Sequence, residues 1–241
     1  MKANHRLRIA YVVNSLNPGG TEQLVVQMCR SFSVEFDMWV VCLDEPGSWA
    51  GRLRSERIPV YCLWRQPGLD PAMALRLAKF CREHRIDIIH AHQYTPWFYA
   101  ALSRLIHRTP KLLLEEHGRF FPEIKKNRRI YVNRTVIKPL THHFVAVSND
   151  VRRRLVEYEG LNHSRIDVIY NGVHDAPSLP PDKRAELRKE LGFSAEDFIV
   201  GTVGRFDPIK NLTLLVKSLA LAGRKIKSIK GLLVGDGPLF N

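Results

Sequence analysis

Gly201-Thr-Val-Gly-Arg-Phe-Asp-Pro-Ile-Lys-Asn211 is entered by an apolar run, Asp197 to Val203, and left by an apolar-periodic segment, Leu212 to Ala222. Strand, short loop and helix in that order form the repeating unit of α/β proteins, so this stretch sets the fold class. Its loop carries Arg205 and Lys210, and Asn211 stands where a helix cap is expected. Two cations beside a helix start suit a diphosphate, because unpaired amides and the dipole add to the side-chain charge.

The same unit recurs upstream. Leu7 to Val13 reads as a strand and Thr21 to Phe32 as a helix, with Thr21 the candidate cap and Leu24, Val25 and Met28 its apolar stripe. Between them Gly19 and Gly20 let a ligand approach the backbone at a helix start. The pattern is not Gly-x-Gly-x-x-Gly, which argues against a dinucleotide dehydrogenase. Met38 to Leu43 and Val60 to Leu63 read as strands around a short helix, Trp49 to Glu56. Ala72 to His84 reads as a helix with Met73, Leu77 and Phe80 inward, and Trp97 to Ile106 as another. Ile86 to Ile89, Lys111 to Glu115 and Phe144 to Val147 are further strands, and Ser148 opens a helix through Tyr158. Alternation of this length predicts a parallel sheet with helices on both faces and ligands beyond the C-terminal strand ends.

Three histidines fall at such ends. His90 and His92, two apart, share a strand face, so a metal pair is chemically admissible. No third ligand stands out nearby, and no metal is expected. His117, ahead of Gly118, is placed to present its imidazole to a ligand.

Lys plus Arg is 37 against 24 Asp plus Glu, a net charge of +13, which favours anionic partners. Cys29, Cys42, Cys62 and Cys81 lack metal-like spacing and read as buried thiols in a reducing compartment. The apolar stretch after Met1 is too short for a signal peptide, and no run reaches the roughly 18 residues of a membrane span. The expected location is the cytoplasm. Between Arg119 and His143, the cations Arg119, Lys125, Lys126, Arg128, Arg129, Arg134 and Lys138 face one acid, Glu123. Apolar residues such as Phe120, Phe121, Ile124, Ile130, Tyr131, Val132, Val136 and Ile137 are interleaved with them. A basic amphipathic helix docking on the inner face of an anionic membrane and a packed helix with a solvated face both fit this composition. Nucleic acid is not expected as a partner, since no nucleic-acid module appears.

Pro177 to Pro181 reads as a linker and Asp182 to Leu191 as a helix stopped by Gly192. The expected division is 1–175, a linker at 176–182, and 183–241.

Five phrases in order give a resemblance to the family 4 retaining glycosyltransferases of GT-B fold, covering about 230 residues. They are Gly19-Gly20-Thr21-Glu22, Asp87-Ile-Ile-His-Ala-His92, Glu116-His117-Gly118, Asn171-Gly172-Val173-His174, and Gly204-Arg205 with Lys210-Asn211. Gly235-Asp236-Gly237-Pro238 resembles a further loop of the family. The resemblance implies an acceptor-side Rossmann-like domain and a donor domain, the latter incomplete here. It implies a nucleoside-diphosphate sugar as donor substrate, a glycan or lipid-linked acceptor, and no cofactor. Gly19, Gly20, Arg205 and Lys210 would contact the donor phosphates, and His117 the transferred sugar near the scissile bond. Glu22, His92, Asn171 and Gly235 would line the cleft, and a basic patch on the first domain would dock on a membrane. In the family the fourth phrase ends in Asp; here His174 stands there, ahead of Asp175. The family's two glutamates eight apart have no match, and only about 60 residues follow the linker, so a fragment or disrupted gene is expected.

No Asp-x-Asp occurs, which disfavours the metal-clamping glycosyltransferase fold. Two other functions remain open on the sequence. One is a sugar-nucleotide epimerase of the same fold, and the other a non-catalytic remnant or binding module.

Overall fold

The computed structural model describes residues 6–118, 125–173 and 178–240. Arg119, Phe120, Phe121, Glu123 and Ile124 of the basic stretch lie outside them, as do His174, Asp175 and Pro177. The chain divides into two compact units, Met1–Gly172 and Val173–Asn241.

In the first unit the strands are β1 (Arg8–Val13), β2 (Asp37–Cys42), β3 (Val60–Cys62), β4 (Ile88–His92), β5 (Lys111–Glu116), β6 (His143–Ala146) and β7 (Ile166–Val168). All pair in parallel, in the order β3-β2-β1-β4-β5-β6-β7. The helices are α1 (Gly20–Phe32), α2 (Ala50–Ser55), α3 (Pro71–Glu83), α4 (Tyr94–Ile106), α5 (Asn127–Val132) and α6 (Asn149–Glu159). Winding proceeds one way from β1 to β3 and the other way from β4 to β7. The strand order therefore reverses between β1 and β4, the switch point where open α/β sheets bind ligands.

Successive residues of β1 explain the double cover. Ala10 and Val12 pack into a cluster with Met73, Leu77, Trp97, Leu112 and Phe144. Tyr11 and Val13 pack into another with Val25, Val26, Cys29 and Leu53. A strand buried on both faces needs a continuous apolar run, which is what Ile9 to Val13 supplies. α1 buries Val25, Val26 and Cys29, leaving Leu24 and Met28 half-buried, so its stripe is rotated slightly from the expected one. Cys29, Cys42 and Cys81 are buried free thiols and Cys62 is half-buried.

β4 starts and ends later than the Ile86–Ile89 expectation. Arg85 turns through a left-handed conformation and the Asp87 carboxylate accepts the Arg8 amide at 2.9 Å, so the ladder opens at Ile88 and includes both histidines. α4 begins at Tyr94 rather than Trp97, since Pro96 is tolerated in a first turn. α6 opens as expected, with Ser148 Oγ accepting the Val151 amide at 3.1 Å. In the described part of the basic stretch the helical backbone continues from 127 to 140 but changes its winding on the way. α5 runs into a π-turn, Asn133–Ile137, and a 3₁₀ turn, Lys138–Leu140.

The second unit holds α7 (Pro181–Glu190), β8 (Phe198–Val203), α8 (Leu212–Ala222) and β9 (Ile229–Val234), with β8 and β9 paired in parallel. Pro181, read from sequence as the end of the linker, opens α7 one residue ahead of the expected helix start at Asp182. Among the described residues of this unit only Phe206 is a buried hydrophobic, while Phe198, Val203 and Leu221 are well exposed. Among the described residues, no helix is long and apolar enough to cross a membrane.

Candidate active site

The loop after β1 is held from beneath by the loop after β2. Leu16 N–H donates to Pro46 O at 3.2 Å, Trp49 N–H to Leu16 O at 3.1 Å, and Asn17 Nδ2 to Glu45 Oε1 at 2.6 Å. Gly47 makes this approach possible: its φ is +74°, and a Cβ there would stand 2.3 Å from the Leu16 carbonyl carbon. Gly19 occupies the cap position of α1 in an extended conformation, and no side chain caps the helix. Thr21, the expected cap, is instead buried inside the first turn, where its Oγ1 accepts from Gln93 Nε2 at 3.1 Å. The glycine pair lets helical geometry begin at Gly20. Glu22 folds back over Gly19, where an added Cβ would meet its Oε2 at 2.2 Å. Burial raises the Glu22 pKa, against a smaller opposing effect of its own amide. The first turn thus leaves backbone donors uncapped beside an acid whose charge is disfavoured, which suits an anionic ligand.

Gln93 ties β4 to this loop. Its φ of 72° is unusual for a residue with a side chain, and it is held there by its amide to Glu115 O at 2.9 Å. Its side chain also meets Asn14 Nδ2 at 3.4 Å.

Beside it stands a stack of imidazoles. Register pairs Tyr11 with His90 and His92 with Glu115 on one face of the sheet. His90 and His92 rings lie 4.3 Å apart at 26°, and His92 and His117 5.1 Å apart at 21°. His92 Nδ1 and His117 Nε2 share a 2.8 Å hydrogen bond, and His90 Nε2 lies 2.8 Å from Glu115 Oε2. His92 is sealed, and burial with the neighbouring imidazoles holds its pKa well below the ordinary value. Burial also lowers His117, with Glu115 opposing. For Glu115 burial acts upward, but the close approach of His90, with His117 beyond it, outweighs that and the net shift is downward.

Glu115 supplies the third donor that sequence reading did not find. Donor atoms of His90, His92 and Glu115 lie within 4.8 Å of one another. A metal sits in the plane of each imidazole that binds it, and two rings stacked this nearly parallel have planes that meet far beyond a zinc–nitrogen bond of about 2.0–2.1 Å. The nitrogen lone pairs do not converge, so the set fits a ring stack closed by a carboxylate better than a metal centre.

Of the basic patch, Lys125, Lys126 and Arg128 are exposed, as is Arg134, whose Nε donates to Gly160 O at 3.3 Å. Arg129 corrects the expectation that it belongs to a membrane face. Its Nε donates to Glu159 Oε2 at 2.7 Å, its Nη2 to Glu159 Oε1, and its guanidinium stacks 3.5 Å over the Tyr94 ring. Asn133 Nδ2 donates to the same wholly buried Glu159 at 2.6 Å. Asn171 lies exposed past β7, away from the histidine stack in the chain order of the sheet.

In the second unit, the loops after β8 and β9 are bonded side by side. Gly204 N–H donates to Val234 O at 3.0 Å and Phe206 N–H to Asp236 O at 2.8 Å. Gly235 sits so close that a Cβ would fall 1.9 Å from Gly204 O. Arg205 is exposed and pairs with Asp207 at 2.7 Å, and Lys210 is exposed in the 3₁₀ turn Pro208–Lys210. An exposed pair of this kind is worth little, so an arriving phosphate can displace Asp207. Asn211 does not cap α8 with its side chain. It adopts a left-handed conformation, and Asp207 Oδ1 takes the Ile209 amide at 3.1 Å instead.

The family model described as Glycosyltransferase Family 4 matches residues 18–176. N-acetyl-alpha-D-glucosaminyl L-malate synthase of Bacillus anthracis is 23% identical over 189 residues, covering 75% of this chain and 47% of that protein. Among solved structures, Anabaena Alr3699/HepE in complex with UDP and glucose superposes with a TM-score of 0.77 at 23% identity, covering 97% of this chain and 62% of that one. A UDP-N-acetylglucosamine 2-epimerase from Rickettsia bellii superposes less well, at a TM-score of 0.53 and 14% identity, covering 98% of this chain and 63% of that one. These likenesses show the GT-B type of α/β fold expected from the sequence. The chain spans between about half and two thirds of the length of these proteins.

Proposed function

Because the chain belongs to glycosyltransferase family 4, we propose that it moves a sugar from a nucleoside-diphosphate sugar to a glycan or lipid-linked acceptor with retention, in cell-surface polysaccharide or glycolipid synthesis. The observation that carries this reading is the family match over 18–176, within which the uncapped start of α1 and the histidine stack sit at neighbouring strand ends.

The leaving diphosphate gains negative charge as the glycosidic bond breaks, and donors already in place lower that barrier most. In the second unit Arg205 and Lys210 offer such charge to a phosphate, and in the first unit the Gly19–Gly20 loop, taken by itself, offers amides at a helix start. No divalent metal or cofactor is assigned a part in this reading. His117 contacts the transferred sugar. Lys125, Lys126 and Arg128 give a surface that favours the anionic inner face of a membrane.

The test is release of nucleoside diphosphate from a panel of sugar nucleotides, with and without lipid-linked acceptor, beside calorimetry of nucleotide binding. Arg205→Ala should weaken nucleotide binding much more than His117→Ala does, and should cost the transfer step a few kcal/mol, by analogy with single oxyanion-site donors. Equal losses would overturn this division of roles. Isomerised sugar from donor alone would identify an epimerase, and absence of both binding and transfer a non-catalytic module.

A further inference from the structure

Gln93 stands at φ 72° and ψ 174°, a backbone region populated almost only by glycine. Main-chain bonds impose this conformation. The Gln93 amide donates to Glu115 O at 2.9 Å where β4 has ended, and its carbonyl accepts the Trp97 amide at 3.2 Å where α4 begins. Glycine would make both bonds without strain. The conformation is thus explained by the backbone, but a side chain at this position is not. We infer that Gln93 is a positioning residue: its side chain couples the end of β4 to the first turn of α1, and so fixes the Gly19–Gly20 loop for an anion. That the anion is a donor diphosphate rests on the function proposed above; the coupling does not.

The side chain reaches two elements distant in sequence. Its Nε2 donates to Thr21 Oγ1 at 3.1 Å, and Asn14 Nδ2 lies 3.4 Å from its Oε1, 72 and 79 residues away along the chain. Thr21 is the second residue of α1 and Asn14 follows the last residue of β1. One side chain therefore spans the switch point between β1 and β4. The bridge does not depend on which end of the amide carries the oxygen. A threonine hydroxyl donates as readily as it accepts, and the Asn14 amide can turn together with that of Gln93.

The coupling matters because α1 has no side-chain cap, and its first bond is Gln23 N–H to Gly19 O at 3.0 Å. Uncapped helix ends fray. The loop after β2 grips Leu16 and Asn17, upstream of the glycine pair, whereas Gln93 grips Thr21, downstream of it. The glycines are held between two fixed points.

The test compares Gln93→Gly, Gln93→Met and Thr21→Val in the full chain, by thermal unfolding and by hydrogen exchange at the Gln23 amide. Gln93→Gly cuts the bridge and relieves the strain, while Gln93→Met cuts the bridge and keeps the strain. The glycine variant should therefore melt above the methionine variant, yet both should exchange about fivefold faster than the parent, the worth of one hydrogen bond. Thr21→Val removes the other partner and should give the same acceleration, with no further increase when combined with Gln93→Gly. Exchange that merely follows melting temperature across the variants overturns the proposal, as do accelerations that multiply in the double variant. Parental exchange in Thr21→Val overturns it even if neither Gln93 variant folds. Inorganic pyrophosphate, followed at the Gly20 and Thr21 amides in ¹⁵N–¹H correlation spectra, reads the ligand side. Its Kd should rise about fivefold in Gln93→Gly, and an unchanged Kd beside faster exchange would overturn the positioning role. Pyrophosphate that leaves those amides unmoved in the parent would overturn the anion-site reading of the function, with the coupling still judged by exchange.

Discussion

Arg128→Ala and Arg129→Ala remove the same charge from adjacent positions of α5, yet the structure assigns them different consequences. Arg129 closes two hydrogen bonds to the wholly buried Glu159 and stacks over Tyr94, whereas Arg128 is exposed. Breaking a buried ion pair costs about 3–5 kcal/mol, and a partly buried cation–π contact adds about 1 kcal/mol. Asn133 continues to donate to Glu159 in the variant, which offsets part of the loss. The expected destabilisation is therefore about 3 kcal/mol, or roughly a 6–12 °C fall in melting temperature for a unit of this size. Arg128→Ala should stay within about 0.5 kcal/mol of the parent. On vesicles containing anionic lipid the order reverses. Arg128→Ala should lose about 1 kcal/mol of binding, roughly fivefold, and Arg129→Ala much less at a temperature where it stays folded. Thermal unfolding followed by circular dichroism and vesicle co-sedimentation read the two quantities. Arg129→Ala with parental stability and a vesicle loss equal to that of Arg128→Ala would refute the buried-anchor argument.

Three further outcomes are expected. Gly47→Ala forces a side chain into a left-handed conformation against the Leu16 backbone, so urea denaturation should show a loss well beyond the roughly 1 kcal/mol of an ordinary exposed glycine substitution. A cost below that would mean that the two loops separate easily. Burial pushes the thiols of Cys29, Cys42 and Cys81 up to about 12, so an aromatic disulfide reagent should count at most one fast thiol, Cys62, in the folded chain and four in urea. His92 and His117 titrate lower folded than unfolded, so below the unfolded value of about 6.5 the unfolded chain binds more protons. Stability should then fall with falling pH by up to roughly 1.4 kcal/mol per unit for each histidine. Urea midpoints that do not change between pH 7 and 5 would contradict the buried, neutral stack.

The strands of the first unit were legible because a parallel strand covered on both faces must be a continuous apolar run, and Ile9–Val13, Val40–Leu43 and Leu112–Leu114 are such runs. Their ends were less so, since Asp87 and Arg85 shift β4 through contacts that periodicity does not carry. Glu115 was within reach. The i, i+2 argument applied to His90 and His92, taken one strand further, puts Glu115 and His117 on the same side. Gln93 offered no local sign, because its left-handed backbone is imposed by a bond to β5. The internal role of Arg129 was hidden for a related reason. Its buried partner Glu159 lies 30 residues away, and a window of composition cannot tell a half-buried, paired cation from a free surface one.

The interlock of the Asn14–Gly19 loop with Gly47 and its neighbours has a consequence for kinetics. A loop that is ordered only by its ligand surrenders its conformational freedom at each encounter, and affinity and capture rate both suffer. Here Leu16, Asn17 and Trp49 have already settled that cost when the chain folded. On the function proposed above, anion capture at Gly19 should therefore scale with collision and charge, and only the ligand has to give up motion on arrival.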